Sequence, residues 1–239
     1  MFIKKISTIS ENFKLYFTII LSFSIFIWFF LFCNNPDGIQ KNIFFANLEN
    51  FFADFFNVLR YISDKNPYNN TINGSAEHSY LPITYLLLYP FSLINDYKNM
   101  SLTDCWGSKT AIISVFIFTI FSFALLLFSL KQFCKKININ ELFCIPFFFT
   151  NIFIFTIERG NTIIITAAMV YIFLTFFNSD ISRERVLAAI ALALASTLKV
   201  YPVLFGFLYF EKKQYRDIVI SAIFTIVLGF LPFLFFKNG

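Results

Sequence analysis

A single aspartate, Asp54, stands between two phenylalanine pairs in the segment Phe51-Phe52-Ala53-Asp54-Phe55-Phe56. Partial desolvation at the border of an apolar face makes a carboxylate a better proton acceptor, so Asp54 is a candidate base for an alcohol. On the polar flank of a helix the same carboxylate would merely be solvated. Two further stretches set charge in apolar surroundings: Glu158-Arg159-Gly160-Asn161 and Lys199-Val200-Tyr201-Pro202. Cations fixed in a dry site stabilise negative charge that develops on a departing group, which is the chemistry Arg159 and Lys199 offer. Each also has a structural reading. Lys199 can snorkel from a helix end, Glu158 and Arg159 can pair at a helix start, and Asn161 can be a polar first residue. Tyr68, Tyr80 and Tyr201 are candidate substrate platforms or members of an interfacial aromatic belt. His78, the single histidine, falls in a polar loop, and the sequons at Asn69, Asn73 and Asn99 carry meaning only in a eukaryotic secretory pathway.

The elements that must position these groups are apolar. Of 239 residues 58% are hydrophobic, 14% charged and 21% aromatic, with 38 Phe, and mean hydropathy is +0.70. Soluble domains carry nearer a quarter charged residues. The composition excludes a disordered chain, a nucleic-acid binder and a disulfide-stapled secreted domain. Apolar blocks at about 15–32, 80–95, 110–130, 142–157, 162–177, 186–210 and 217–236 predict an all-α polytopic membrane protein. The net charge of +5 arises from Lys and Arg clustered at block ends, where they read as orientation signals.

The first block follows Lys4, Lys5 and Lys14 and lacks a small-residue cleavage site, so it reads as a membrane anchor with a cytoplasmic amino terminus. Residues 33–79 then lie outside. Three positive clusters, at Lys131, Lys135 and Lys136, at Arg183 and Arg185, and at Lys212, Lys213 and Arg216, belong inside by the positive-inside rule. The turns between them, at 158–161 and 198–202, therefore face the same side as 33–79. Ionisable residues at such positions are functional candidates by default. One net crossing is allowed between 33–79 and 131–136, yet both 80–95 and 110–130 are apolar. Either the short, proline-bearing block 80–95 is re-entrant or interfacial, or one charge assignment fails. Block 186–210 is long enough for one helix, but Pro202 favours two short arms. In the outer segment Phe51, Phe55, Leu59 and Ile62 recur at helical spacing opposite Asp54, Asn57, Tyr61 and Asp64, predicting an amphipathic helix over about 45–63 that lies on the membrane surface. The four cysteines have no metal spacing; free thiols are expected, and Cys33 with Cys105 is the pairing the topology leaves open.

The order of these features resembles a known family. An acidic residue in an external helix, the turn Asn66-Pro67-Tyr68, the entry Tyr80-Leu81-Pro82, the tetrad Glu158-Arg159-Gly160-Asn161 and the closing Leu198-Lys199-Val200-Tyr201-Pro202 are similar to the polyprenyl-phosphate-dependent membrane glycosyltransferases of family 87, within the GT-C class. The similarity spans roughly residues 50–215. Lys199 and Pro202 match the family's Lys-x-x-Pro, the most specific piece, and the tetrad comes next. Ile83 replaces the second of two prolines usual in the family, and the chain is shorter than most members, so it reads as a short member or the amino-terminal half of a longer one.

The resemblance implies a GT-C-like helical bundle forming one transmembrane domain over 1–239, located in the cell membrane. It implies inverting transfer of a mannosyl- or pentosyl-type sugar from a polyprenyl-phosphate donor to an envelope glycan or glycolipid on the outer face. Asp54 would be the catalytic base. Lys199 and Arg159 would hold the phosphate, with Glu158, Asn161, Tyr68, Tyr80 and Tyr201 as further substrate contacts, and membrane lipid would surround the whole. The polyprenyl-phosphate sugar is a substrate, not a cofactor, and a divalent metal stays open, although one Asp without a neighbouring carboxylate is a poor hard-metal site. Two competing readings fit the same residues. One is a transporter or flippase with Glu158, Arg159 and Lys199 along a path through broken helices; the other is a glycan-assembly protein without transferase activity.

Overall fold

The computed structural model describes residues 15–16, 18–27, 29–30, 33–34, 50–63, 67–69 and 80–236. Asp64, Asn66, His78 and the amino-terminal lysines Lys4, Lys5 and Lys14 lie outside them. Among the described residues every regular element is helical: α1 (Thr18–Ile27), α2 (Ala53–Ile62), α3 (Pro82–Ser92), α4 (Leu102–Gly107), α5 (Lys109–Lys136), α6 (Asn151–Arg159), α7 (Ile163–Phe176), α8 (Ser182–Leu198), α9 (Phe207–Glu211) and α10 (Tyr215–Phe230). Short 3-10 turns join several of them.

Two helical runs are long and apolar enough to cross a membrane, Lys109–Lys136 and Tyr215–Leu234. At 1.5 Å per residue the first is about 42 Å long. Only 33% and 17% of their most apolar windows are buried, unlike the core helix of a soluble protein. Ile113, Phe116, Ile120, Phe128, Ile223, Ile226 and Phe230 point outward. Block 142–157 is not one helix. Pro146 sits within a 3-10 stretch, Glu141–Phe149, and Thr150 then caps α6 through Phe153 N. A proline that donates no hydrogen bond explains the break.

Side-chain contacts give the helix directions. Phe118 lies near Ile165, Leu126 packs with Ala168, and the Phe133 and Tyr171 rings are 5.3 Å apart, so α5 and α7 run parallel. Helix α8 returns antiparallel beside α7. It ends at Leu198, where Lys199 turns extended (φ −145°, ψ 137°), and residues 201–211 run back along α8 until Tyr209 packs on Ala188 and Ala189. The two-arm reading of block 186–210 is therefore the observed one. Helix α10 then runs parallel to α8, fixed by Arg185 Nε donating to Asp217 Oδ2 at 3.1 Å and by Arg216 donating to Ser182 Oγ at 3.5 Å. All three positive clusters consequently share one end of the bundle.

The Arg185–Asp217 pair is testable as a stapling contact. Asp217 is buried, with its side chain 5% exposed against 23% for Arg185, so removing one partner strands the other. Arg185→Leu is expected to cost about 1–3 kcal/mol, and Arg185→Leu with Asp217→Leu less than that single change, measured as detergent-solubilised melting temperature.

Helix α3 is short, and both of its ends lie at the opposite end of the bundle from the clusters. It starts just after Tyr80, and soon after it ends the Asn95 side chain meets the Thr110 hydroxyl at 2.8 Å, beside the start of α5. The expected surface helix is observed as α2, but in a different setting. Phe55, Phe56, Val58 and Leu59 are each 0% exposed, and Tyr61 and Ile62 are buried with them. They pack on Phe118 of α5, Phe91 of α3 and Tyr97. Apolar residues surround α2 on most sides, and such a helix is driven into a core and not onto a surface.

The cysteines are as the sequence reading expected, free thiols. The two that meet are Cys134 and Cys144, with Sγ atoms 3.4 Å apart; the 3-10 stretch folds back on the end of α5.

Candidate active site

At the end opposite the positive clusters, three separate segments converge on Asp54. The chain enters α2 through Phe52, which holds the left-handed conformation (φ 57°, ψ 20°) and has no side-chain cap. Its carbonyl accepts from Phe55 N and Phe56 N at 3.1 and 3.0 Å. Asp54 thus sits in the first turn of α2, where the helix dipole favours a carboxylate. Helix α6 ends one residue before Gly160, also left-handed at φ 63°. The two bends lie against each other: Phe52 N donates to Glu158 O at 2.7 Å, and a Cβ on Gly160 would stand 2.9 Å from Phe55 Cβ.

This contact aims both neighbours of Gly160 at Asp54. Arg159 donates to Oδ1 through Nε at 3.1 Å and Nη2 at 2.5 Å, and Asn161 Nδ2 donates to Oδ2 at 2.6 Å. Both oxygens are engaged, in a geometry that leaves the carboxylate half-buried, 14% exposed, beside a 25% exposed guanidinium. Asn161 Oδ1 accepts from Ile163 N at 3.0 Å, so the same amide starts α7 and orients Asp54. Charge-assisted bonds of this kind are short and directional.

Tyr80 and Lys199 complete the group. Burial pushes the Tyr80 phenol well above its ordinary value, and the adjacent Asp54 charge and a hydrogen bond to Asp54 add to the rise; it therefore stays a protonated donor to the carboxylate. Lys199 Nζ lies 5.9 Å from the Tyr80 ring centroid, within cation–π range. Burial lowers the Lys199 pKa, opposed by the field of Asp54. Among the described residues Lys199 forms no ion pair, whereas Arg159 is committed to Asp54. The sequence reading set both cations on one phosphate; in the structure the Arg159 guanidinium meets Asp54.

Of the other expected site residues, Glu158 is buried at 2% exposure and contributes its main-chain carbonyl to Phe52. Tyr68 packs on the same core as Tyr80, stacked on Phe233 at 4.8 Å and edge-on to Tyr85 at 5.5 Å. Tyr201, half exposed, lies two residues beyond Lys199 and outside the Asp54 contacts. Sequence reading passed over Trp106, whose indole Nε1 donates to Phe51 O at 2.8 Å. The signal available was a tryptophan between two helix-capping serines, Ser101 and Ser108. Among the described residues no three His, Cys, Asp or Glu side chains gather as a metal cluster.

The fold and site define an all-helical protein with membrane-length helices and a carboxylate held by an arginine and an amide at one end of the bundle. The chain belongs to glycosyltransferase family 87, whose model matches residues 79–239. Membership implies glycosyltransferase activity, and with the two apolar helices it marks a membrane protein. Tyr80, Arg159, Asn161 and Lys199 fall inside the matched residues, and Asp54 precedes them. No curated protein matches the chain, and no solved structure does either.

Proposed function

We propose that this protein is a multi-pass GT-C-type glycosyltransferase that moves a mannosyl- or pentosyl-type sugar from a polyprenyl-phosphate donor to an envelope glycan or glycolipid on the outer face of the cell membrane, with inversion. The observation that carries this reading is the convergence of Asp54 with Arg159, Asn161, Tyr80 and Lys199 at the end remote from the positive clusters. With those clusters and the amino terminus cytoplasmic, the site faces outward. Helix α3 is then a re-entrant or interfacial segment and α5 the single crossing that charge counting allows. Residues 1–239 act as one transmembrane domain in this scheme.

The reaction needs few groups. Asp54 accepts the proton of the acceptor hydroxyl, whose oxygen lone pair attacks the anomeric carbon from the face opposite the phosphate. The carbon–oxygen bond to the phosphate breaks, and the polyprenyl phosphate leaves with the bonding pair. Lys199, unpaired by any carboxylate among the described residues, meets the charge on that phosphate. Arg159 and Asn161 fix the direction of the Asp54 oxygens, and Tyr80 donates to the same carboxylate while its ring meets Lys199.

Release of polyprenyl phosphate from a panel of labelled polyprenyl-phosphate sugars, in membranes containing the protein, tests the proposal. Release with one donor and a suitable acceptor is expected; no release with any donor, alongside donor translocation, would favour a flippase. The lysine supplies a pH test with a definite sign. Donor affinity depends on protonated Lys199, so it is present at low pH and lost as pH rises through a pKa held below that of a free lysine. The donor KM should rise on the alkaline side, and Lys199→Arg should shift that rise beyond the measurable range; a flat KM profile in the wild-type protein would remove Lys199 from the phosphate site.

A further inference from the structure

One peptide unit is held from both sides. The Phe51 carbonyl accepts from Trp106 Nε1 at 2.8 Å, and the amide N–H on the other side of the same peptide bond, that of Phe52, donates to Glu158 O at 2.7 Å. The unit leads straight into Phe52, a phenylalanine in the left-handed region, where a side chain crowds the backbone and raises its energy. Such a conformation persists only where its surroundings over-determine it, and it recurs at functional sites. Two residues further on is Asp54.

The tryptophan is itself firmly placed. Helix α4 has only six residues, but a reciprocal capping box holds it: Ser101 Oγ accepts from Asp104 N at 3.1 Å, and Asp104 Oδ2 accepts from Ser101 N at 2.8 Å. Cys105 is fully buried beneath it, and Ser108 starts α5. Trp106 is thus a rigid arm from the base of the membrane-length helix to the turn before the carboxylate.

We infer that Trp106 is a positioning residue for Asp54: its indole N–H locks the Phe51–Phe52 peptide, keeps Phe52 left-handed, and so sets the direction from which the carboxylate meets the acceptor hydroxyl. The inference rests on the base assignment made above. It goes further in assigning a role to a side chain that touches neither substrate nor Asp54. Loss of the indole N–H frees one side of the peptide unit and lets the first turn of α2 swing. Displacements near 1 Å at a reacting group cost about 100-fold in rate.

The test uses the full chain in nanodiscs with Trp106→Phe, and with Trp106 replaced by β-(3-benzothienyl)alanine, which keeps the fused ring and removes only the N–H donor. Turnover per folded molecule should fall by about 10- to 100-fold in both, with donor KM unchanged, and hydrogen exchange should quicken in the peptide spanning Phe51 to Ala53. 5-Fluorotryptophan at 106, which keeps the donor, should restore wild-type turnover. A merely structural tryptophan would lower the folded fraction and melting temperature while leaving turnover per folded molecule intact; that outcome, or unchanged hydrogen exchange at Phe52, overturns the inference. Asp54→Asn run beside these variants separates the two readings. An active Asp54→Asn enzyme removes the base assignment, whereas an inactive one beside a fully active Trp106→Phe removes only the role of Trp106.

Discussion

Asp54→Asn is expected to lower turnover by about 10²- to 10⁴-fold, the usual contribution of a general base, while the protein still accumulates and folds. The substitution preserves shape and keeps an oxygen to accept from Arg159 or Asn161, but it removes the charge that takes the proton. It also places an NH2 group against a guanidinium or an amide that currently donates into the same position. One of those contacts must be lost. Since the Asp54 and Arg159 side chains are 14% and 25% exposed, water offsets part of that loss, and we expect a stability cost of about 1–2 kcal/mol, far below what unfolding requires. The informative quantity is therefore transfer per folded molecule, read against the donor KM. A large fall in turnover at constant KM fits a group that acts only in the transition state. Turnover near wild type would end the base assignment, and a fall that tracks folded protein alone would reduce Asp54 to the anchor of an ion pair.

How much of this was legible in the sequence depends on the distance over which residues had to be related. The positive clusters were readable because the rule that governs them acts on each loop separately, and the ion pair between Arg185 and Asp217 then brings two clusters together, as charge counting required. Lys199 stood out from its own neighbours, since a lysine before Tyr201-Pro202 in an apolar block is costly, and it is found beside Tyr80. The break after Leu198 followed from Pro202 in the same way. Asp54 was harder. It meets Arg159 across 105 residues and Asn161 across 107, and no periodicity encodes a contact between two turns. The sequence named all three residues but paired Arg159 with Glu158 or with a phosphate. The setting of α2 was misjudged for a related reason. Its moment signals a polar stripe at Asp54, Asn57 and Arg60, but whether the other faces meet lipid or protein depends on α3, α4 and α5 folding over it. Trp106 was passed over, since its flanking serines mark only helix starts, and what matters is its indole N–H reaching a main-chain carbonyl 55 residues away.

Gly160→Ala should damage stability and transfer together, and by more than any other glycine-to-alanine change among the described residues. Two costs add at this position. An L-residue at φ 63° gives up about 1–2 kcal/mol relative to glycine. The new methyl would stand 2.9 Å from Phe55 Cβ, 3.6 Å from Phe52 Cδ1 and 3.7 Å from Phe52 Cα. Phe55 Cβ cannot rotate away, because it is fixed to the α2 backbone, so the helix must move as a unit, at an overpacking cost of about 1–3 kcal/mol. Gly107 and Gly229 provide the control. Neither has an atom within 4 Å of its added Cβ, and neither has positive φ, so alanine there should leave the melting temperature nearly unchanged. The consequence for activity follows from which residues flank the turn. Arg159 and Asn161 reach Asp54 from either side of Gly160, and the Phe52 amide reaches Glu158 from beneath; any shift that relieves the methyl stretches both links at once. Transfer per folded molecule should therefore fall with Gly160→Ala even at temperatures where the variant remains folded. A variant that melts like wild type would show that α2 yields easily to the turn. One that melts early but turns over normally when folded would show that the chemistry does not depend on the grip of Arg159 and Asn161 on Asp54, and the base would then need no arginine to aim it.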